Sequence, residues 1–253
     1  MCIRDRVIGI LCAFFGTFLA LKYLSSMLPK DAGREFAHDG KKSAGKPRGA
    51  GLIFILAFGI VAVLFGKLNW EILIYLVLTM ASMLTGYLDD ASKNPWGEFK
   101  KGALDLLIAC LVAGTYLAFN GSEIFINVLG ESIVLNPIVF FILAVILVWV
   151  SINVTNCTDG VDGLSGTLSV ITLFTIYLLE SVKGTNSAIN YITLILIVCV
   201  LAYLWFNATP SKLMMGDAGS RALGIFISIA ILKTGSPLLY IPVALMLIIL
   251  SLI

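Results

Sequence analysis

Charge is scarce in this sequence, and what there is gathers in short clusters between long apolar runs. Only 13% of the 253 residues are Asp, Glu, Lys or Arg, against 59% hydrophobic. That balance excludes an ordinary soluble domain and fits a polytopic membrane protein. There is a single histidine, His38, in a charged loop, where it reads as a surface residue rather than a ligand. The five cysteines (Cys2, Cys12, Cys110, Cys157 and Cys199) are scattered, odd in number and form no CxxC pair. A disulfide framework or a zinc site is therefore not expected. No Walker A pattern is present, which excludes a P-loop NTPase, and a net charge of +2 is too small to suggest a nucleic-acid partner. No A-x-A-like cleavage site follows the first apolar run, so it is read as a retained span rather than a signal peptide. The opening MCIRDR is polar and uninformative, and need not be native.

Against the ~20 apolar residues that cross a bilayer as a helix, nine runs stand out. They lie near Val7–Leu28, Gly49–Gly66, Trp70–Leu88, Ala103–Phe119, Pro137–Ile152, Leu164–Leu179, Ile189–Phe206, Ala218–Leu232 and Pro237–Ile253. The expected fold is an all-α polytopic membrane protein of about nine transmembrane helices in one integral membrane domain, 1–253. Between the fourth and fifth runs, IFINVLGESIVL (124–135) places β-favouring residues on both sides of Gly130-Glu131, and predicts a small hairpin outside the bilayer.

Basic residues accumulate on the cytoplasmic side of membrane proteins. The odd connections hold Lys30, Arg34, Lys41, Lys42, Lys46 and Arg48, then Lys93, Lys100 and Lys101, and later Lys212 and Arg221; the even ones hold only Lys67, Lys183 and Lys233. The odd connections are thus expected in the cytoplasm, with the N-terminus outside. Three acidic clusters then share that face: Asp89-Asp90, NVTNCTDGVDGL at Asn153–Leu164, and the Asp217 segment.

Acids near membrane depth cost several kcal/mol unless they face a partner, an ion or water, so they are functional candidates by default. Asp89 and Asp90 close a helical run and point about 100° apart, where the helix macrodipole disfavours anions unless a cation is near. Asp159 and Asp162, like Asn153 and Asn156, have the i, i+3 spacing of one helical face. Asp217 is either the N-cap of the eighth run or a ligand. Clustered aspartates without cysteine or histidine are hard oxygen donors suited to Mg²⁺ or Mn²⁺. Lys46, Lys93, Lys100, Lys101 and Lys212 on the same face suggest a phosphate-bearing substrate. Lys93 and Lys212 are read as positive-inside charges only, and Lys101 is spaced to pair with Asp105.

Taken together, LDD at Leu88–Asp90, NxxNxxDGxDGL at Asn153–Leu164 and FNAxPxxxxMGDxGS at Phe206–Ser220 resemble the polyprenyl-phosphate N-acetylhexosamine-1-phosphate transferases. PKDxGREFAxxG at Pro29–Gly40 and GKPRGAG at Gly45–Gly51 fit the phospho-N-acetylmuramoyl-pentapeptide transferase branch. The resemblance implies a Mg²⁺-dependent enzyme of the bacterial plasma membrane with its active site in the cytoplasm. It would move phospho-MurNAc-pentapeptide from UDP-MurNAc-pentapeptide to undecaprenyl phosphate, releasing UMP in peptidoglycan biosynthesis.

It implies Asp89 as the base toward the lipid phosphate with Asp90 beside it, and Asp217 as metal ligand, with Asp89 and Asp90 sharing the metal site. Asn153, Asn156, Asp159 and Asp162 would line the nucleotide and metal pocket, Asn207 would approach uridine, and Lys46 and Lys101 would face phosphates. The sequence departs from the family in three places. Lys46-Pro47-Arg48-Gly49-Ala50-Gly51 replaces TPTMGG, and Met214 stands where an aromatic is usual. The His-rich loop and final helix expected after the ninth run are missing, so the chain is expected to be a fragment of a ten-helix protein. Alternatives are a sister transferase using UDP-N-acetylglucosamine, a cation-coupled transporter, or an inactive fragment. Oligomeric state, a homodimer included, is left open.

Overall fold

The computed structural model describes residues 3–31, 43–92, 96–126, 131–182 and 188–237. The ninth run beyond Pro237, most of Pro29–Gly40 with His38, and Lys93 lie outside the described residues. Among the described residues eight α-helices follow one another: α1 Ile3–Leu24, α2 Gly51–Phe65, α3 Trp70–Asp90, α4 Glu98–Asn120, α5 Pro137–Cys157, α6 Leu164–Val182, α7 Ala188–Asn207 and α8 Gly216–Lys233. Six of these elements (α1, and α3 to α7) are long and apolar enough to cross a membrane, and α2 is a shorter apolar helix of 15 residues. The chain is a multi-pass, all-α membrane protein. The expected hairpin is present: β1 Glu123–Ile126 pairs antiparallel with β2 Glu131–Val134, Ile124 opposite Ile133.

Local chemistry sets several boundaries. Asn69 caps α3, its Oδ1 accepting from Ile72 N at 2.8 Å. Asn136 does the same for α5, with Pro137 in the first turn, where its missing N–H costs nothing. Most helices run past the expected limits, and in three of them this brings in residues of the polar motifs. α3 includes Asp89 and Asp90, α4 starts at Glu98 and so includes Lys101, and α5 continues to Cys157 and so includes Asn153 and Asn156. The polar flanks of the apolar runs are therefore helical, and their side chains are held on rigid backbone.

The helix at the centre is α8, every residue of which from Gly216 to Leu232 is buried. It packs against α2, α3, α5 and α6, and glycines let the backbones meet. A Cβ on Gly86 of α3 would sit 2.6 Å from Ala218 N, and one on Gly51 of α2 would sit 2.7 Å from the Ala218 carbonyl carbon. On α8 itself, a Cβ on Gly224 would stand 2.6 Å from Ile152 Cα of α5. In a bilayer, where apolar burial gives little drive between helices, such close van der Waals approach is a main source of association.

Polar networks tie both ends of this core. At one end Glu71, only 6% exposed, accepts from Tyr75 Oη (3.1 Å), Asn120 Nδ2 (2.6 Å) and Lys233 Nζ (3.0 Å to each oxygen). That joins the start of α3 to the ends of α4 and α8. The hairpin lies at the same end, with Phe125 N donating to Gly235 O at 2.7 Å. The acid motifs occupy the other end, where α3, α5 and α7 finish and α2, α4, α6 and α8 begin.

Candidate active site

At that end the three acid motifs converge. Asp89 and Asp90, adjacent on the last turn of α3, reach different partners, as their angular separation requires. Asp89 Oδ2 is 2.8 Å from Lys101 Nζ and its Oδ1 accepts from Trp96 N at 2.6 Å. Asp90 Oδ2 accepts from Ala218 N at 3.1 Å in the first turn of α8, and its Oδ1 is 2.9 Å from Arg48 Nε. Asp217 stands between these pairs. Its Oδ1 accepts from Asn156 Nδ2 at 3.2 Å and lies 3.5 Å from Arg48, and its Oδ2 lies 3.5 Å from Lys101. Asn156 also donates to Ser220 Oγ at 3.0 Å.

Of the two readings of Asp217, the cap is ruled out. Met215 occupies the N-cap position and makes no side-chain cap bond, while Asp217 lies inside the first turn with its carboxylate turned to the cluster. Gly216 makes this approach practicable. Its φ of 71° is a conformation that favours glycine, and a Cβ there would crowd Asp90 and stand 2.9 Å from Gly49 N.

The second motif is arranged differently from its i, i+3 spacing. α5 ends at Cys157, a short 3₁₀ turn covers Thr158–Gly160, and Val161 is extended, so Asp159 and Asp162 do not share a helical face. Gly160 and Gly163 break the helix that would have aligned them. Asp159 instead accepts from Gly216 N at 3.0 Å, and Asp162 from Ser211 N at 3.1 Å. Lys46 bonds Ser211 Oγ at 2.8 Å and lies 3.8 Å from Asp162. Asn207, buried, accepts from Gly163 N (2.9 Å) and donates to Leu213 O (2.8 Å), holding this loop against the end of α7. Asn153 is not brought in: it is exposed, and its amide bonds its own helix at Trp149 O. Lys100 sits 3.4 Å over the Trp96 ring, apart from the acids.

Two further sequence expectations are corrected. Lys101 does not pair with Asp105, because Asp105 points into the α4–α8 interface and is taken by Arg221, whose Nε is 3.1 Å away. Arg221 is itself no loop cation. It lies within α8 at 2% exposure, so it carries no weight in the count of basic loop residues.

The residue that the sequence alone did not bring to the site is Arg48, which there counts as a basic loop residue and as a departure from a family pattern. Besides Asp90 and Asp217 it lies 3.6 Å from Asp31. Burial opposes its charge, but the carboxylates of Asp90, Asp217, Asp31 and Asp159 outweigh that and raise its pKa above the ordinary guanidinium value. The available signal was a cation inserted into a Gly-rich loop of a chain whose three acid motifs lie on the same side.

A protein-family model described as glycosyl transferase family 4 matches residues 72–235, which runs from the first turn of α3 through α8 and includes every acid of the three motifs. This chain belongs to that family. Among the relatives of this family 4 member is the phospho-N-acetylmuramoyl-pentapeptide-transferase of Treponema pallidum (strain Nichols). It is 37% identical over 250 residues, covering 92% of this chain and 69% of its own. Proteins of the same name from Fervidobacterium nodosum and Helicobacter pylori (strain ATCC 700392 / 26695) are 29% and 27% identical. They cover 77% and 87% of this chain, and 61% and 70% of their own.

The donor chemistry of this family 4 site leaves one place for a divalent metal. Among the described residues, no three acid, imidazole or thiol groups are disposed to form a metal cage of their own. Both oxygens of Asp89 and both of Asp90 are already engaged, and those side chains are 4% and 0% exposed. Asp217 is 12% exposed and meets its two cations only at 3.5 Å. A hard cation that takes one or two protein carboxylates and completes its sphere with water and phosphate oxygens fits Asp217.

Proposed function

We propose that this chain transfers phospho-N-acetylmuramoyl-pentapeptide from UDP-MurNAc-pentapeptide to undecaprenyl phosphate, giving the lipid-linked product and UMP. The observation that supports this most is the convergence of Asp89, Asp90 and Asp217 with Lys101, Arg48 and Asn156 at one end of the bundle. It occurs in a chain 37% identical to a transferase of that name. The site sits on the cytoplasmic side of the bacterial plasma membrane, in keeping with the basic residues of that end.

In this reaction an oxygen of the lipid phosphate attacks the phosphorus that bears the sugar. The bond from that phosphorus to the bridging oxygen breaks, and UMP leaves with the oxygen. Asp89, ionised beside Lys101, accepts any proton still held by the attacking phosphate. Lys101 and Arg48 bracket Asp217 and stabilise negative charge growing on the transferring phosphoryl oxygens. Asn156 holds the Asp217 carboxylate in place, and Lys46, fixed by Ser211, faces the nucleotide phosphates. Mg²⁺ held by Asp217 would neutralise diphosphate charge and make UMP a better leaving group.

The test is formation of the lipid product by the purified chain in phospholipid nanodiscs with undecaprenyl phosphate and each donor in turn. Product is expected from UDP-MurNAc-pentapeptide, and it should be abolished by EDTA and restored by Mg²⁺. Product from UDP-N-acetylglucosamine alone would assign the chain to the sister chemistry, and activity indifferent to EDTA would remove the metal.

A further inference from the structure

Arg48 is held unusually firmly for a loop residue. Its N–H donates to Pro29 O at 2.8 Å, and on either side Met214 N donates to Pro47 O (2.9 Å) and Ala50 N to Met214 O (3.0 Å). Gly51 N completes the seam by donating to Met215 O at 3.0 Å. The loop and the start of α8 thus move as one piece, and the guanidinium is delivered from that piece into the acids. Asp90 holds it at 2.9 Å from a wholly buried carboxylate. On the open side of the same guanidinium, Asp217 stands at the looser 3.5 Å, and 26% of the Arg48 side chain remains exposed.

Among the described residues, Arg48 lies against Asp31, Asp90 and Asp217, Lys46 against Asp162, and Lys101 against Asp89 and Asp217. The Asp217 carboxylate attracts a divalent ion, and the carboxylates around it repel a phosphate-bearing substrate. Arg48 works against both effects, and it does so at the carboxylate best placed to hold the ion.

We propose that Arg48 is the resident counter-cation of Asp217, and that it makes binding of a divalent ion depend on a phosphate-bearing nucleotide. With Asp217 alone, the ion meets a positive charge anchored on Asp90. A phosphate arriving at the exposed edge of the guanidinium neutralises that charge, and the ion then binds more tightly. By linkage, the ion raises nucleotide affinity by the same factor.

This inference rests on the proposed function in one respect, that Asp217 is the ion's ligand. The experiment is a Mn²⁺ titration followed by electron paramagnetic resonance on the full chain in nanodiscs, with and without saturating UMP. Arg48→Met and Arg48→Gln should each bind Mn²⁺ about ten-fold more tightly than wild type, from the loss of one partly screened like charge. Arg48→Lys should stay close to wild type, and Asp217→Asn should lose saturable binding. UMP should tighten Mn²⁺ binding several-fold more in wild type than in the two neutral variants, where only direct contact of its phosphate with the ion is left.

Disruption of a merely structural Arg48 would weaken binding, the opposite sign. Equal or weaker binding in both neutral variants overturns the proposal. If neither variant can be purified, the wild-type titration decides, and a Mn²⁺ affinity unmoved by UMP overturns it. Absence of saturable binding in wild type, or its survival in Asp217→Asn, rejects the metal reading itself. Loss in Asp217→Asn with unchanged Arg48 variants leaves that reading standing and rejects only this one.

Discussion

Asp217→Asn lowers the rate of UMP release by at least about 100-fold, the scale of removing a central electrostatic contact from a preorganised site. The substitution keeps the shape of the side chain and its bond from Asn156, and removes only the charge. Lys101 and Arg48, each 3.5 Å from this carboxylate, then lose the partner they share. Because Asp217 lies in the first turn of α8 and does not cap it, loss of its charge leaves the helix end formed. Thermal unfolding should accordingly move little. Turnover within a few-fold of wild type would take Asp217 out of the reaction and return the acid cluster to a structural role.

The second large effect comes from a residue with no functional group. Gly86→Val puts side-chain atoms where the structure has backbone, since a Cβ there stands 2.5 Å from the Asp217 carbonyl carbon and 2.6 Å from Ala218 N. Neither atom can yield, because α8 is buried on every side. Forced apart, α3 and α8 must lengthen the Asp90 to Ala218 bond and carry Asp89 away from Lys101. Overpacking of this kind typically costs about 1–3 kcal/mol, and a misplacement of about 1 Å in a positioned site can cost on the order of 100-fold in rate. Both a lower unfolding temperature and a turnover loss of that order are expected. Gly16→Ala is the control, because a Cβ there meets nothing within 4 Å, and it should change neither. Wild-type behaviour in Gly86→Val would mean that the close approach of α3 and α8 does not position the site.

Much of this arrangement was legible from the order of the residues. The apolar runs located all eight described helices, and their alternation put the acid motifs at one end. The hairpin was readable from β-favouring residues around a Gly-Glu pair. Less was legible where the third dimension decides. Asp159 and Asp162 have the spacing of a helical face, but the glycines beside them end the helix, and each acid turns instead to a backbone N–H on another segment. Arg221 looked like a loop cation because only the four residues from Asp217 to Ser220 separate it from the Gly216 turn, yet it lies within α8, buried against Asp105. In the sequence Arg48 was one basic residue of the first loop and an odd residue in a familiar pattern. Its partners Asp90 and Asp217 are distant in sequence, and nothing in a one-dimensional pattern brings a cation to them.

In the proposed reaction a sugar moves together with its phosphate. The measurement that tests it most directly is identification of the nucleotide released when the purified chain in nanodiscs consumes UDP-MurNAc-pentapeptide in the presence of undecaprenyl phosphate and Mg²⁺. Transfer at phosphorus predicts UMP as the nucleotide product, formed in equal amount to a diphosphate-linked lipid and absent when the lipid phosphate is omitted. Release of UDP, with the sugar alone on the lipid, would place the reaction at the anomeric carbon and contradict the account.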